Sequence, residues 1–391
     1  MRFLRALRLD AGLDGAGGSY QDGIHLNFAT GQYYTKAVGA VPTVSAFTSL
    51  FTFTGGNQSL YMGSAGLLVA SVTNTPRIEY SSTGSVLGLL MEAARTNLGL
   101  WSDDHTNVAW VKTTMTTAKT STGPDGTASS ATRLTATGAN SLSVQTVVSA
   151  SATRVYSVWM KRITGTGDID MTVDGGTGWT TKTLTTSWQR FEITQAAVTN
   201  PVFGIRIVTD TDAIDVYGSQ LESAAFASSL IPTTTLAVAR TVDSCIRTLS
   251  TEFSATAGTV VVAGRASGGQ DASLGQLVWA FDDGTTANPT RLLRPAASNA
   301  ARFVVVSAAT LDGTFTNSTN YKHAAAWAVN DFAVSFNGGA VLTDTLGAVS
   351  PGLLTLGLGC GATGTPMNGH IKQFDYYPER KANIYLQNYS V

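Results

Sequence analysis

Short β-rich segments recur along this chain, each closed by a turn bearing glycine, asparagine or aspartate, and no long helical period separates them. Strands at this spacing without intervening helices predict β-sandwiches or jelly rolls. The turn signals include Gly123-Pro124-Asp125-Gly126, Gly165-Thr166-Gly167 and Asp174-Gly175-Gly176. Between them lie strand candidates such as Val155–Met160, Gln189–Thr194, Phe203–Val208 and Ala213–Tyr217. A second series holds Gly258–Gly264, Arg302–Val306, Tyr321–Trp327, Asp331–Phe336 and Ile371–Tyr377, with Asn337-Gly338-Gly339 as a hairpin turn. No strict repeat of about 20 to 50 residues supports a solenoid or propeller.

The composition points the same way. Only 13% of the 391 residues are charged, Gly occurs 40 times, and the polar surface must come from Thr, Ser, Asn, Gln and Gly. Branched Thr packs on pleated sheets and Gly interrupts helices. The 25 Lys+Arg against 26 Asp+Glu give a net charge of -1, so no global field favours nucleic acid or acidic lipid. No apolar run reaches the roughly 18 to 20 residues of a membrane-spanning helix, so no membrane insertion is expected. Arg2, Arg5 and Arg8 interrupt the N-terminal apolar residues, which argues against a secretory signal and leaves a docking peptide or a frayed terminus. Cys245 and Cys360 are too few for a disulfide framework and are expected to be reduced.

Three units follow. Residues 1–98 carry short strands, including Gly31–Thr35 and Leu50–Thr54, but few long apolar faces, so this region is expected to pack on a neighbour or another chain, with an independent small domain as the alternative. Within it, Gly88–Leu98 shows no alternation and is read as a buried connector. Residues 99–235 form the first sandwich and 240–391 the second, with an apolar helical spacing at 382, 385 and 386.

Three runs carry a family resemblance. Asn74–Tyr80, Gly88–Leu98, Trp101-Ser102 and Asn107–Trp110 resemble the segment that introduces a carbohydrate-binding-like jelly roll in tailed-bacteriophage fibre and spike proteins. Tyr217–Glu222, Ser228–Thr233 and Ala239-Arg240 resemble the end of that module. Ala326-Trp327, Asn337–Gly339, Asn368–Ile371, Tyr376–Pro378 and Arg380 resemble the closing half of a concanavalin-A/laminin-G-like sandwich. The resemblance covers about residues 70–391. It implies a mostly β virion protein: a jelly roll followed by a laminin-G-like sandwich, behind an irregular β-rich N-terminal region that attaches to other virion proteins. It further implies a homotrimeric adhesin for host-surface glycans, located in the virion and assembled in the host cytoplasm. The absence of heptads would leave trimerisation to β surfaces. A head-decorating fibre or scaffold without sugar binding, and a polysaccharide-depolymerising spike, are the alternatives.

Catalytic chemistry has little support in the residues, and no cofactor is expected. His25, His105, His323 and His370 fall in no metal-ligand spacing, and His370 is read as structural. Paired acids of a sugar-cleaving enzyme would have to come from Asp168 with Asp170, Asp210 with Asp212, or Asp282-Asp283, all beside turns where Asp is expected anyway. Asp168, Asp170 and Asp174 could offer oxygen ligands to calcium, but acids around a turn are more often solvated, so no metal is assigned. Sugar recognition combines an aromatic face with polar hydrogen-bonders. Trp179, in the glycine-rich loop Gly176–Thr181, and Asp174 are therefore the glycan-binding candidates, whereas Trp110, Trp159 and Trp188 are expected in the core.

Overall fold

The computed structural model describes residues 20–391 apart from 267–274, 297, 299, 307, 315–318 and 362–364. The arginine-bearing residues 1–9 thus lie outside the described residues. The fold is mostly β and consists of two antiparallel sandwiches, as the turn-punctuated sequence predicts.

The first sandwich has two five-stranded sheets. One runs in the order Val111–Thr113, Ser141–Thr146, Val202–Ile207, Ile169–Thr172, Thr180–Lys182. The other runs Met115–Ser121, Ala131–Ala136, Ala213–Glu222, Ala152–Thr164, Gln189–Val198. Alternation along each strand sends one set of side chains inward. Ile169, Met171, Phe203, Ile205 and Ile207 from the first sheet meet Leu134, Tyr156, Val158, Met160, Ile214 and Val216 from the second. Trp110 closes this core, with His105 stacked on its ring at 3.7 Å.

The second sandwich pairs a ten-stranded with an eight-stranded sheet, and residues before the first sandwich are woven into both. Gly23–Asn27 lies between Gly369–Tyr377 and Gln32–Lys36. Thr52–Thr54 pairs with Ser244–Thr248 in the other sheet. Residues 20–98 therefore do pack on a neighbour, through shared β-ladders: Ile24, Leu26, Phe28, Leu89 and Met91 enter the same core as Trp279, Phe281, Trp327 and Tyr376. The stretch Gly88–Leu98, read as a buried connector, begins within the strand Val86–Met91, paired with Ile78–Tyr80 and Gly369–Tyr377, and ends in the short strand Arg95–Asn97. It lacks alternation because Leu89, Leu90 and Met91 are all buried, and strands covered on both faces read as continuous apolar runs. Gly88 has φ +130°, and a Cβ there would stand 2.3 Å from the Ile371 carbonyl oxygen, so this close approach requires glycine.

The residues that carry the family resemblance build the junction between the sandwiches. Arg77 and Arg240 each donate through Nη1 to Glu92 Oε2, at 2.7 and 2.6 Å, and Arg77 Nη2 donates to Asp243 Oδ2. The Ser229 amide and hydroxyl donate to the same Glu92 carboxylate at 2.7 and 2.6 Å. Nearby, Asn97 Nδ2 donates to the Ile231 carbonyl while its Oδ1 accepts from the Leu221 amide. These groups are buried, and burial alone would raise the Glu92 pKa, but Arg240, Arg77 and Ser229 hold it well below the usual carboxylate range.

Candidate functional site

The Trp179 loop is anchored at both ends. Asp174 Oδ1 accepts from the Thr172 hydroxyl at 2.9 Å and the Gly178 amide at 3.0 Å, and its Oδ2 accepts from Gln195 Nε2 at 2.9 Å. Burial opposes ionisation, yet these donors hold the Asp174 carboxyl below its ordinary range. Trp179 itself is half-buried, with the Arg206 guanidinium 4.3 Å from its ring centroid. A Cβ on Gly176 would come within 2.9 Å of the indole, so the ring rests on that glycine. Part of the stacking surface expected of Trp179 is thus already occupied by its own chain.

The other sequence candidates have local partners. Asp170 is buried and paired with Arg206 at 2.6 Å, while Asp168 is exposed. Asp212 pairs with Arg162 at 3.1 Å and accepts the Gly167 amide, while Asp210 caps its own turn. Asp282 accepts from the Thr355 hydroxyl at 2.6 Å, and Asp283 organises the exposed turn after it. His370 Nε2 lies 2.6 Å from Glu79 Oε2, and His25 Nδ1 lies 2.9 Å from Asp375 Oδ1. Among the described residues, no group of three or more His, Cys, Asp or Glu side chains is placed to hold a metal. Cys245 and Cys360 are free and buried, with the Cys245 amide donating to Cys360 Sγ at 3.1 Å.

A concave site lies between the sandwiches, where the sequence placed none. This cleft of about 500 Å³ is walled on one side by Trp159, Trp188 and Arg190, and on the other by Leu60, Met62, Tyr80 and Arg265. Trp159 was expected in the core, but the inward side chains of its strand are Tyr156, Val158 and Met160, so the residue between the last two faces outward. Trp188, also expected in the core, stands just before Gln189–Val198 and carries the Lys161 ammonium 4.9 Å from its ring. Both indoles are half-buried against Met62, Leu68 and Leu230, whereas Trp110 alone of the three is in the core at 1% exposure. The buried indole N–H of Trp159 has no hydrogen-bond partner among the described residues.

The opposite wall is fixed by the hairpin Leu60–Met62 and Leu68–Ala70. Its Leu60 amide donates to the Leu230 carbonyl at 2.7 Å, and its Leu68 amide donates to the Pro124 carbonyl at 3.0 Å. Glu79 is the acid of the cleft, and it is turned toward the Met62 amide at 3.2 Å and His370. Two indoles, Gln189 and Ser82 make a surface suited to rings with apolar C–H faces and hydroxyl edges. Alternation along Val155–Met160 was the sequence signal for Trp159, while no local signal marks the opposite wall.

No protein-family model and no curated protein matches this chain. Among solved structures it is similar to the CBM40 module of the Ruminococcus gnavus IT-sialidase bound to α2,3-sialyllactose, at 16% identity over 35% of this chain and 84% of that one, TM-score 0.30. It is also similar to the Trypanosoma rangeli sialidase in complex with the inhibitor DANA, at 11% identity over 37% of this chain and 25% of that one, TM-score 0.32. A third likeness is to the tandem CBM22 domains of Paenibacillus barcinonensis Xyn10C, at 10% identity over 73% of this chain and 96% of that one, TM-score 0.25. Likenesses of this size carry no argument about what this chain binds.

Proposed function

We propose that this chain is a structural protein of a tailed-phage particle and that its inter-sandwich cleft binds a host-surface glycan. The observation that carries the binding reading is the placement of Trp159 and Trp188 on one wall of a concave cleft, with polar groups beside them. Sugars stack on such faces, and the energy lies in a few aromatic anchors. The virion reading is supported by the motif runs at 74–110, 217–240 and 326–380, which resemble fibre and spike proteins. On this reading the N-terminal region joins other virion proteins, the chain acts as a homotrimer, and it is assembled in the host cytoplasm.

The test is binding of the full chain to host cells and a glycan panel, beside Trp159→Ala, Trp188→Ala and Trp179→Ala. Each cleft variant is expected to weaken binding about tenfold, equivalent to about 1.4 kcal/mol, and Trp179→Ala to change it little. Absence of saturable binding by the unmodified chain would refute the adhesin reading and favour a scaffold or head-decorating role. Antibody labelling of purified particles tests the virion assignment, and particles lacking the chain would refute it.

A further inference from the structure

The cleft continues into a second groove of about 740 Å³, with Leu87 and Arg265 lining both. Lys322 and Lys372 line this extension together with Asn320 and Tyr321, and the described residues of its walls include no Asp or Glu, the one anionic group being the terminal carboxylate of Val391. Along the two grooves the cations are Arg190, Arg265, Lys322 and Lys372, against Glu79 and the terminal carboxylate of Val391. Arg190, Arg265 and Lys372 take part in no ion pair among the described residues, whereas Lys322 meets the terminal carboxylate of Val391. Arg190 Nη2 donates to the Ser157 hydroxyl at 2.9 Å, and Lys322 Nζ donates to a terminal carboxylate oxygen of Val391 at 3.0 Å. Glu79 is turned toward the Met62 amide and His370. In a chain of net charge -1, an excess of cations along these grooves, with Arg190, Arg265 and Lys372 outside any ion pair among the described residues, is a local feature that the overall balance conceals.

We propose that the continuous groove takes an acidic oligosaccharide, with sugar rings on Trp159 and Trp188 and carboxylates on Arg190, Arg265 and Lys372. This inference rests on the glycan-binding reading and adds the class of glycan. Arginine suits the role because its planar donor fork matches a carboxylate, and charge-assisted bonds are stronger than neutral ones. Aromatic faces with cations would also suit single-stranded nucleic acid. The sugar is favoured because Gln189, Ser82 and Asn320 offer hydrogen bonds to hydroxyl groups, and the chain has no wider positive field to draw in a polyphosphate.

The experiment titrates the full chain with a panel of uronate- and sialate-bearing oligosaccharides, their carboxyl-reduced neutral counterparts, and an oligothymidine. At least one acidic member is expected to bind about tenfold or more tighter than its neutral counterpart, with affinity falling as salt rises. Arg265→Gln and Lys372→Gln together should remove most of that preference; both residues are exposed, and an unaltered circular dichroism spectrum will establish folding. Neutral binding that is lost in Trp159→Ala but shows no preference for acidic sugars would overturn this inference and leave the glycan reading standing. Binding of neither class would overturn both, and tighter binding of oligothymidine would replace the saccharide with a nucleic acid.

Discussion

Replacing Glu92 with alanine removes the acceptor for the Arg77 and Arg240 guanidiniums and for the amide and hydroxyl of Ser229, at 2.6 to 2.7 Å. Arg77 keeps Asp243, but Arg240 is left with the Ala93 carbonyl and the Ser229 hydroxyl, and its side chain is buried. Breaking a buried ion pair from one side costs about 3 to 5 kcal/mol, because the remaining charge has no water to return to. That is a large part of the roughly 5 to 15 kcal/mol that holds a typical domain folded. Glu92→Gln keeps the shape and some acceptor capacity, so its cost should be smaller, about 2 kcal/mol. Urea denaturation followed by circular dichroism and tryptophan fluorescence measures both. The carboxylate is held below its unfolded value, so its stabilisation is full above about pH 4.3 and declines as pH falls toward the lower folded pKa. A cost under about 1 kcal/mol for Glu92→Ala at neutral pH would refute the claim that these residues form a dry junction between the sandwiches.

Burial lowers the pKa of both His105 and His323 to about 3. The unfolded imidazoles protonate near pH 6.5, so stability is full above that value and falls between about 6.5 and 3; at pH 5 each should cost about 2 kcal/mol, and equal urea midpoints at pH 7 and 5 would contradict this. Gly88→Ala should destabilise by about 2 kcal/mol or more, since the new Cβ meets the Ile371 carbonyl at 2.3 Å with φ at +130°; an unchanged melting temperature would show that the strand shifts freely. Burial raises the thiol pKa of Cys245, and that of Cys360 to about 11, so neither should react with a thiol reagent near neutral pH until the chain unfolds.

Much of the architecture was legible because turns and alternation are local. Asp331–Phe336 was read to the residue, and the strands around Val155, Phe203 and Ile371 differ only at their ends. The pairing partners were less accessible: His25 and Asp375 meet from positions 350 apart, and a one-dimensional pattern does not show which distant strand completes a ladder. Val86–Met91 was missed as a strand because burial on both faces erased its alternation. Arg77, Glu92 and Arg240 were recognised as a motif, and their role as a buried ionic junction emerged only from the packing. The direction of the tryptophans was only partly legible: Trp110 went to the core as expected, while Trp159 and Trp188 went to the cleft.

The most direct test of the central claim is a crystal structure of the full chain soaked with the tightest ligand from the glycan panel. The account predicts sugar density against the indoles of Trp159 and Trp188, with a carboxylate reaching Arg190 or Arg265. Ordered sugar on the Trp179 loop, with the inter-sandwich cleft holding only solvent, would contradict it.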